Sequence, residues 1–259
     1  MTAYQGGKKR IGKKIHDVIY LVEEDLYGEK GHSVTYFEPF IGMAGVMRHF
    51  GNDEERNLFA CDKNEDLILM WQAVQKGWKP PKSCSKAKYE RLKNSKTHSA
   101  ERAFIGVVCS YNTIFFESYR VNTEKDKKFI REGCNGIENS RSDMKNVNFL
   151  KSRSYDCCDP KNTVIYCDPP YIGNTLGNKK SLFQIFDHEE FWETMRKWSK
   201  KNLVFISEWS APKDFKKIYS TESYVSNNIK TKRYGDNLYV HEDIYKKISL
   251  KCKRSIKEI

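Results

Sequence analysis

No uninterrupted apolar run in the 259-residue chain approaches the ~18 to 20 residues that a membrane-spanning helix requires, so no transmembrane segment is expected. Met1 to Lys14 is charged and is followed by no apolar core of the signal-peptide kind. The eight cysteines include no Cys-x-x-Cys pair and no histidine at zinc-ligand separation, so neither a structural zinc site nor any other metal is expected. Without a secretory signal they read as reduced thiols, mostly small core fillers, in a soluble intracellular protein of cytoplasm or nucleus. The chain also lacks a Gly-Lys-[Ser/Thr] loop, a His-Glu-x-x-His pair and a Gly-x-Ser-x-Gly elbow. Phosphoryl transfer, zinc hydrolysis and serine acyl transfer are therefore unsupported. No internal repeat or long low-complexity tract is visible.

What the sequence does carry is aromatic residues and positive charge. Aromatics make up 13%, with 15 Tyr and 14 Phe, which sets the chain apart from disordered proteins and predicts a folded core. Lys and Arg total 46 against 34 Asp and Glu, a formal charge of +12, the footprint of a protein that meets a polyanion. Between Trp71 and Ala100 stand eight basic residues (Lys76, Lys79, Lys82, Lys86, Lys88, Arg91, Lys93, Lys96) and one acidic residue, Glu90, a local net of +7.

Hydrophobic periodicity predicts a helix over Ile11 to Leu26, a strand over Ser33 to Phe37, and a helix starting within Gly42 to Phe50. A strand over Asn57 to Cys61 and a helix over Asn64 to Val74 follow. This alternation points to an α/β fold built on a parallel sheet. Residues 75–150 then break the pattern, with an apolar helix-like segment over Ala103 to Tyr119 and an irregular polar stretch over Asn122 to Asn148. They read as an inserted lobe rather than more sheet. The pattern resumes with a strand over Thr163 to Cys167, a helix over Phe183 to Lys200 and a strand over Leu203 to Ser207. A closing hairpin of Asn237 to Val240 with Asp243 to Ile248 completes the chain. The expected domains are 1–74 with 151–259 as the catalytic body and 75–150 as the insert.

The sharpest chemical signal is Asp168-Pro169-Pro170-Tyr171, directly after an apolar strand, where ligands of open α/β sheets bind. Two consecutive prolines remove two N–H donors and fix φ, leaving carbonyl oxygens as acceptors in a stiff turn. An exocyclic amine has two hydrogens to be held. The Asp168 carboxylate accepts one and the Pro169 carbonyl the other, which turns the nitrogen lone pair toward an electrophile. Tyr171 offers a flat face for a base.

These residues resemble the Dam-type DNA adenine methyltransferases, in the α-group order and with likeness to their phage branch. Tyr4-Gln5-Gly6-Gly7-Lys8 is similar to the family's aromatic-x-Gly-Gly-Lys, and the segment Phe37-Glu38-Pro39-Phe40-Ile41-Gly42-Met43-Ala44-Gly45 to its binding-loop motif. Ala44 stands where the family usually has a second glycine. Asp62, in Ala60-Cys61-Asp62-Lys63-Asn64, matches an aspartate that holds the cofactor's ribose hydroxyls. Ser154-Tyr155-Asp156 resembles a segment near the cofactor's adenine. The resemblance implies a Rossmann-like S-adenosylmethionine-dependent methyltransferase sheet with an inserted, mostly helical DNA-recognition lobe. Its implied cofactor is S-adenosyl-L-methionine, held by Tyr4, Lys8, Glu38, Pro39, Phe40, Gly42, Asp62, Tyr155, Asp156 and Asp168.

The implied substrate is double-stranded DNA, with a target adenine flipped out of the helix, and a cognate restriction endonuclease is admitted as a functional partner. Arg120 ends an aromatic segment, Cys109 to Arg120, that resembles one helping to read DNA. With Asn112, Lys86, Lys88 and Arg91 it makes up the expected DNA contacts; a core pairing for Arg120 is an equal alternative. Ile206 to Pro212 is similar to a segment shaping the base pocket, with a strand-end turn as the alternative. Methylation of a cytosine amine or of RNA, and a catalytically inactive DNA-binding relative, remain open. The aspartate of the tetrapeptide and the motif order favour adenine in DNA.

Overall fold

The computed structural model describes residues 8, 10–28, 35–51, 53–121, 123–171, 186–227 and 230–259. Among these residues the strands are β1 (Thr35–Glu38), β2 (Leu58–Ala60), β3 (Val147–Phe149), β4 (Thr163–Cys167), β5 (Leu203–Glu208), β6 (Phe215–Asn227) and β7 (Lys230–His241). The α-helices among them are α1 (Gly12–Tyr27), α2 (Glu65–Gln75), α3 (Lys86–Lys93), α4 (Ala100–Val108), α5 (Glu124–Asn139), α6 (His188–Ser199), α7 (Glu242–Lys247) and α8 (Leu250–Ile256). The sheet order is β3-β2-β1-β4-β5-β7-β6. Pairings β1/β4, β2/β3 and β4/β5 are parallel, while β7 runs antiparallel to β5 and β6. The order turns back at β1, from which the chain goes outward to β3 and returns to β4 on the other side. That is the topological switch point at which open α/β sheets bind ligands. This arrangement is the Rossmann-like α/β fold expected from the sequence.

The chain divides into two compact units, one of Met1–Gly12, Ile41–Glu54 and Leu58–Tyr155, the other of Lys13–Phe40, Glu55–Asn57 and Asp156–Ile259. In the second unit every residue of β4 and β5 is buried, as a strand covered on both faces requires. Ile15, Val18, Ile19 and Val22 of α1 are buried at helical spacing. So are Phe191, Trp192, Met195 and Trp198 of α6. Asp25 of α1 accepts hydrogen bonds from Ser249, whose hydroxyl in turn caps α8. In the first unit Asp66 of α2 forms a buried ion pair with Arg102 of α4. The Asp66 carboxylate also accepts the Ser99 N–H at 2.8 Å, so the start of α4 is pinned to α2.

Four local expectations are corrected. Gly42 to Phe50 starts no α-helix: Gly42 and Ala44 have φ of 47° and 54°, which interrupts any right-handed run, and only a 3-10 turn, Met47–His49, follows. The polar stretch after Asn122 is not irregular. Thr123 and Asp126 form a reciprocal capping box that starts α5, whose apolar stripe buries Ile130, Cys134 and Ile137. The same stretch ends in β3, paired parallel with β2, so sheet returns before residue 150. Asp243 to Ile248 is not a strand. His241 caps a helical turn there, with Glu242 and Asp243 in its first turn and Lys246 and Lys247 in its last, each set suited to the helix dipole. The hairpin partner of β7 is β6 instead. The apolar segment from Ala103 is helical only to Val108 and then turns, with a bridge between Ser110 and Tyr119.

Candidate functional site

In the first unit, β2 delivers Asp62, whose two carboxylate oxygens take different backbone donors. Oδ1 accepts the Asn64 N–H at 2.8 Å and Oδ2 the Gly42 N–H at 2.9 Å. Gly42 is fixed from its other side too, because the Trp71 indole N–H donates to its carbonyl at 2.9 Å. Asn64 caps α2 by accepting the Asp66 N–H. The loop of residues 41–45 is thus tied to Asp62 and to α2. Burial pushes the Asp62 carboxyl up to about 6, against the opposing pull of the Asn64 and Gly42 N–H groups.

Two glycines hold this loop against the N-terminal segment. A Cβ on Gly45 would lie 3.0 Å from the backbone nitrogen and Cβ of Lys8, and one on Gly12 would lie 2.0 Å from the Gly45 carbonyl oxygen. Lys8 is buried at 2% exposure. Tyr4 lies outside the described residues. The Tyr155 ring is buried while Asp156 is exposed, within a 3-10 turn at Tyr155–Cys157.

In the second unit, the ends of the adjacent strands β1 and β4 carry the other expected residues. Tyr36 donates from its hydroxyl to the buried carboxylate of Glu38 at 2.8 Å. Pro39 is buried, and the Phe40 ring stands edge-on to Phe191 at 6.0 Å and to Phe186 at 6.1 Å. At the end of β4, Asp168 is half-buried, Pro169 buried and Pro170 exposed. Tyr171 is buried with its hydroxyl donating to Asp236 of β7 at 2.9 Å. The Trp209 ring, at the end of β5, meets the Tyr171 ring edge-to-face at 5.5 Å. Burial first, and then the Asp168 charge, holds the Tyr171 and Tyr166 hydroxyls well above the ordinary phenol range. Tyr166 shares a 2.8 Å hydrogen bond with Ser207.

The expected DNA contacts lie within the first unit and differ in their freedom. Lys86 and Arg91 of α3 are exposed. Lys88, on the same helix, is committed to an ion pair with Glu101 at 2.6 Å. The Arg120 guanidinium stacks over the Phe129 ring at 3.7 Å from its centroid, a cation–π contact that neither the core pairing nor base readout anticipates. Asn112 is exposed in the left-handed region, φ 51°. Sequence reasoning passed over Asp236. It stands 65 residues from Tyr171, and only the pairing of β7 beside β5 brings it there.

Among the described residues no group of three or more His, Cys, Asp or Glu is placed to hold a metal ion, and no helix is long and apolar enough to cross a membrane. A family model described as D12 class N6 adenine-specific DNA methyltransferase matches residues 4–112 and 114–234. A comparison with curated proteins found no match.

Proposed function

The chain belongs to the D12 class N6 adenine-specific DNA methyltransferase family, and from that premise we propose that it methylates the exocyclic amine of a flipped-out adenine in duplex DNA, taking the methyl group from S-adenosylmethionine. The family's reaction decides among the alternatives that the sequence left open. It names adenine rather than cytosine, and DNA rather than RNA.

The donor chemistry around Asp62 fits the cofactor. Each carboxylate oxygen spends one lone pair on a backbone N–H and keeps another for a ribose hydroxyl. On this reading Asp62, the loop at Gly42 and Lys8 bind the cofactor within the first unit, with Tyr155 near its adenine; cofactor roles for Tyr4, Glu38, Pro39, Phe40 and Asp156 rest on the family resemblance alone. When bound, S-adenosylmethionine supplies a methyl group activated on a sulfonium sulfur.

Asp168 and the Pro169 carbonyl accept the two hydrogens of the adenine amine, so that its lone pair is free and aimed. The Asp168 carboxylate takes up the proton lost as the new N–C bond forms. The Tyr171 ring stacks the extruded base, which cannot present its amine in line while inside the duplex. Residues 75–150 act as the recognition lobe, with Lys86 and Arg91 meeting phosphates and Asn112 and Arg120 near the bases. The observation that carries the proposal is the tetrapeptide's place at the end of β4, beside the end of β1 at the switch point.

Expression in bacteria that lack adenine methylation, followed by long-read mapping of modified bases, tests it. N6-methyladenine at one sequence motif is expected. Asp168→Ala should slow single-turnover methylation by roughly 100-fold or more at saturating cofactor, as removal of a preorganised acceptor does. A rate within a few-fold of wild type would leave the tetrapeptide a stiff turn only.

A further inference from the structure

Among the described residues, Asp236 and Trp209 both hold Tyr171. Its hydroxyl donates to Asp236 Oδ1 at 2.9 Å, and its ring meets the Trp209 ring in a T-shaped contact, centroids 5.5 Å apart at an interplanar angle of 79°. A phenol ring has two soft torsions, and a bond at its far end combined with a wall at its side restricts both.

Asp236 is itself set in a rigid frame. Its strand pairs with β5, with Asn237 opposite Glu208, and Asp236 stands opposite Thr221 of β6. Gly235, just before it, allows the backbones to close up, since a Cβ there would fall 2.6 Å from the Thr221 carbonyl oxygen. Its other neighbour, Asn237, donates through Nδ2 to the Trp209 carbonyl at 2.8 Å and accepts from the Ser220 hydroxyl at 2.7 Å. The hairpin of β6 and β7 therefore fixes both the acceptor of the Tyr171 hydroxyl and the backbone of the residue that walls its ring.

We propose that Asp236 is a positioning residue for methyl transfer: by holding the Tyr171 hydroxyl it fixes the ring that receives the target adenine, and so sets the base's amine against Asp168 and Pro169. The inference rests on the reading that Tyr171 stacks the base. A carboxylate acceptor makes a stronger bond to a hydroxyl than a neutral one does. The Tyr171 hydroxyl, buried and close to Asp168 and Asp236, stays protonated and able to donate. The role is geometric: small errors in the angle of approach are costly in a displacement that needs its reacting atoms aligned.

The test uses the full chain with unmethylated plasmid DNA, enzyme in excess over sites, and radiolabelled S-adenosylmethionine. Tyr171→Phe keeps the ring and removes the hydroxyl; Asp236→Ala removes the acceptor; Asp236→Asn keeps a neutral acceptor. Each of the first two should slow the single-turnover rate by about tenfold, with cofactor affinity unchanged, and the two together should be no slower than the slower one alone. Asp236→Asn should return the rate to within about threefold of wild type.

Additive slowing would overturn the proposal, as would a wild-type rate for Asp236→Ala or a loss of cofactor binding that Asp236→Asn fails to restore. Should Asp236→Ala not fold, Tyr171→Phe at the wild-type rate overturns it alone. Tyr171→Ala separates the two levels. If removing the ring leaves the rate intact, the stacking reading itself fails. If removing the ring cripples the enzyme while Tyr171→Phe and Asp236→Ala do not, only the role of Asp236 fails.

Discussion

Ala44 occupies the left-handed region at φ 54° and is almost completely buried in the loop that follows β1. An L-residue there costs roughly 1–2 kcal/mol, part of which is offset because glycine loses more backbone entropy on folding. Ala44→Gly is expected to stabilise the protein by about 0.5–1 kcal/mol and to raise its melting temperature by a few degrees in a thermal scan without weakening cofactor binding. An unchanged or lowered melting temperature would mean the loop holds Ala44 without strain. Asp62, in the same unit, titrates in a range that experiments reach. With its carboxyl near 6, it can accept two ribose hydroxyls only when ionised. Cofactor affinity should hold above pH 6 and fall by up to about tenfold per unit below it. For folding the sign is opposite. A folded value raised above the ordinary 3.8 means that this group's contribution to stability is largest in acid and declines as pH rises from about 4 to about 6. Calorimetric titration with the cofactor at pH 7.5 and pH 5 checks the binding side; equal affinities would remove the Asp62 carboxylate from the ribose.

At the level of elements, Glu23 of α1 and Arg56, just before β2, form two hydrogen bonds of 3.0 and 3.1 Å with both side chains fully buried. Breaking a buried pair leaves a charge with no solvent, so Glu23→Ala should cost about 3–5 kcal/mol in urea unfolding, whereas Glu23→Leu combined with Arg56→Met should recover most of that loss. A cost below about 1 kcal/mol for Glu23→Ala would show that water reaches the site. The pair was not legible in the sequence, since nothing distinguishes Glu23 from the adjoining Glu24 and Asp25 or marks the distant Arg56 as its partner. What was legible follows from the length and purity of the signal. Thr163 to Cys167 was read to the residue because five consecutive apolar or β-branched positions end at Asp168, and α1 and α2 were read within a residue or two from their buried stripes. Where short patterns compete with a cap or a turn, the reading fails. Ile244 and Ile248 share one helical face as readily as Asp243 to Ile248 suggests a strand, and the His241 cap decided for the helix. β6 mixes Lys, Ser and Thr with Tyr and Val, too polar and too irregular in the spacing of its apolar residues to stand out. That omission hid the frame around Asp236. The tetrapeptide, Gly42 and Asp62 stood out as candidates because each follows an apolar strand in a motif that resembles the family's, but the hydrogen bond between Gly42 and Asp62 and the Tyr171 and Asp236 contact depend on tertiary pairings that no local motif encodes.

For the whole molecule the charge of +12 has value for DNA binding only to the extent that its cations are not already engaged. The basic run of residues 76–96 has a net of +7 on paper, but Lys88 is paired with Glu101 at 2.6 Å and Lys93 donates to the Glu117 carbonyl at 3.0 Å. Lys76, Lys79, Lys82, Lys86, Arg91 and Lys96 are exposed, the condition for displacing counterions from a phosphate backbone. Each phosphate neutralised contributes about −0.9 to the slope of log K against log[salt] for duplex DNA. Combined replacement of Lys82, Lys86 and Arg91 by alanine should therefore flatten the slope by about 2.7 if all three meet phosphates. Lys88→Ala should leave it nearly unchanged, because Glu101 already balances that charge. Fluorescence anisotropy with a labelled duplex between 50 and about 300 mM salt reads the slope directly, over a range where screening of exposed charges is strong. A triple variant with the wild-type slope would place the DNA on another face, and the +7 run would then be a solvated surface. A large effect of Lys88→Ala would mean that DNA binding separates Lys88 from Glu101, and the count of phosphate contacts on α3 would rise by one.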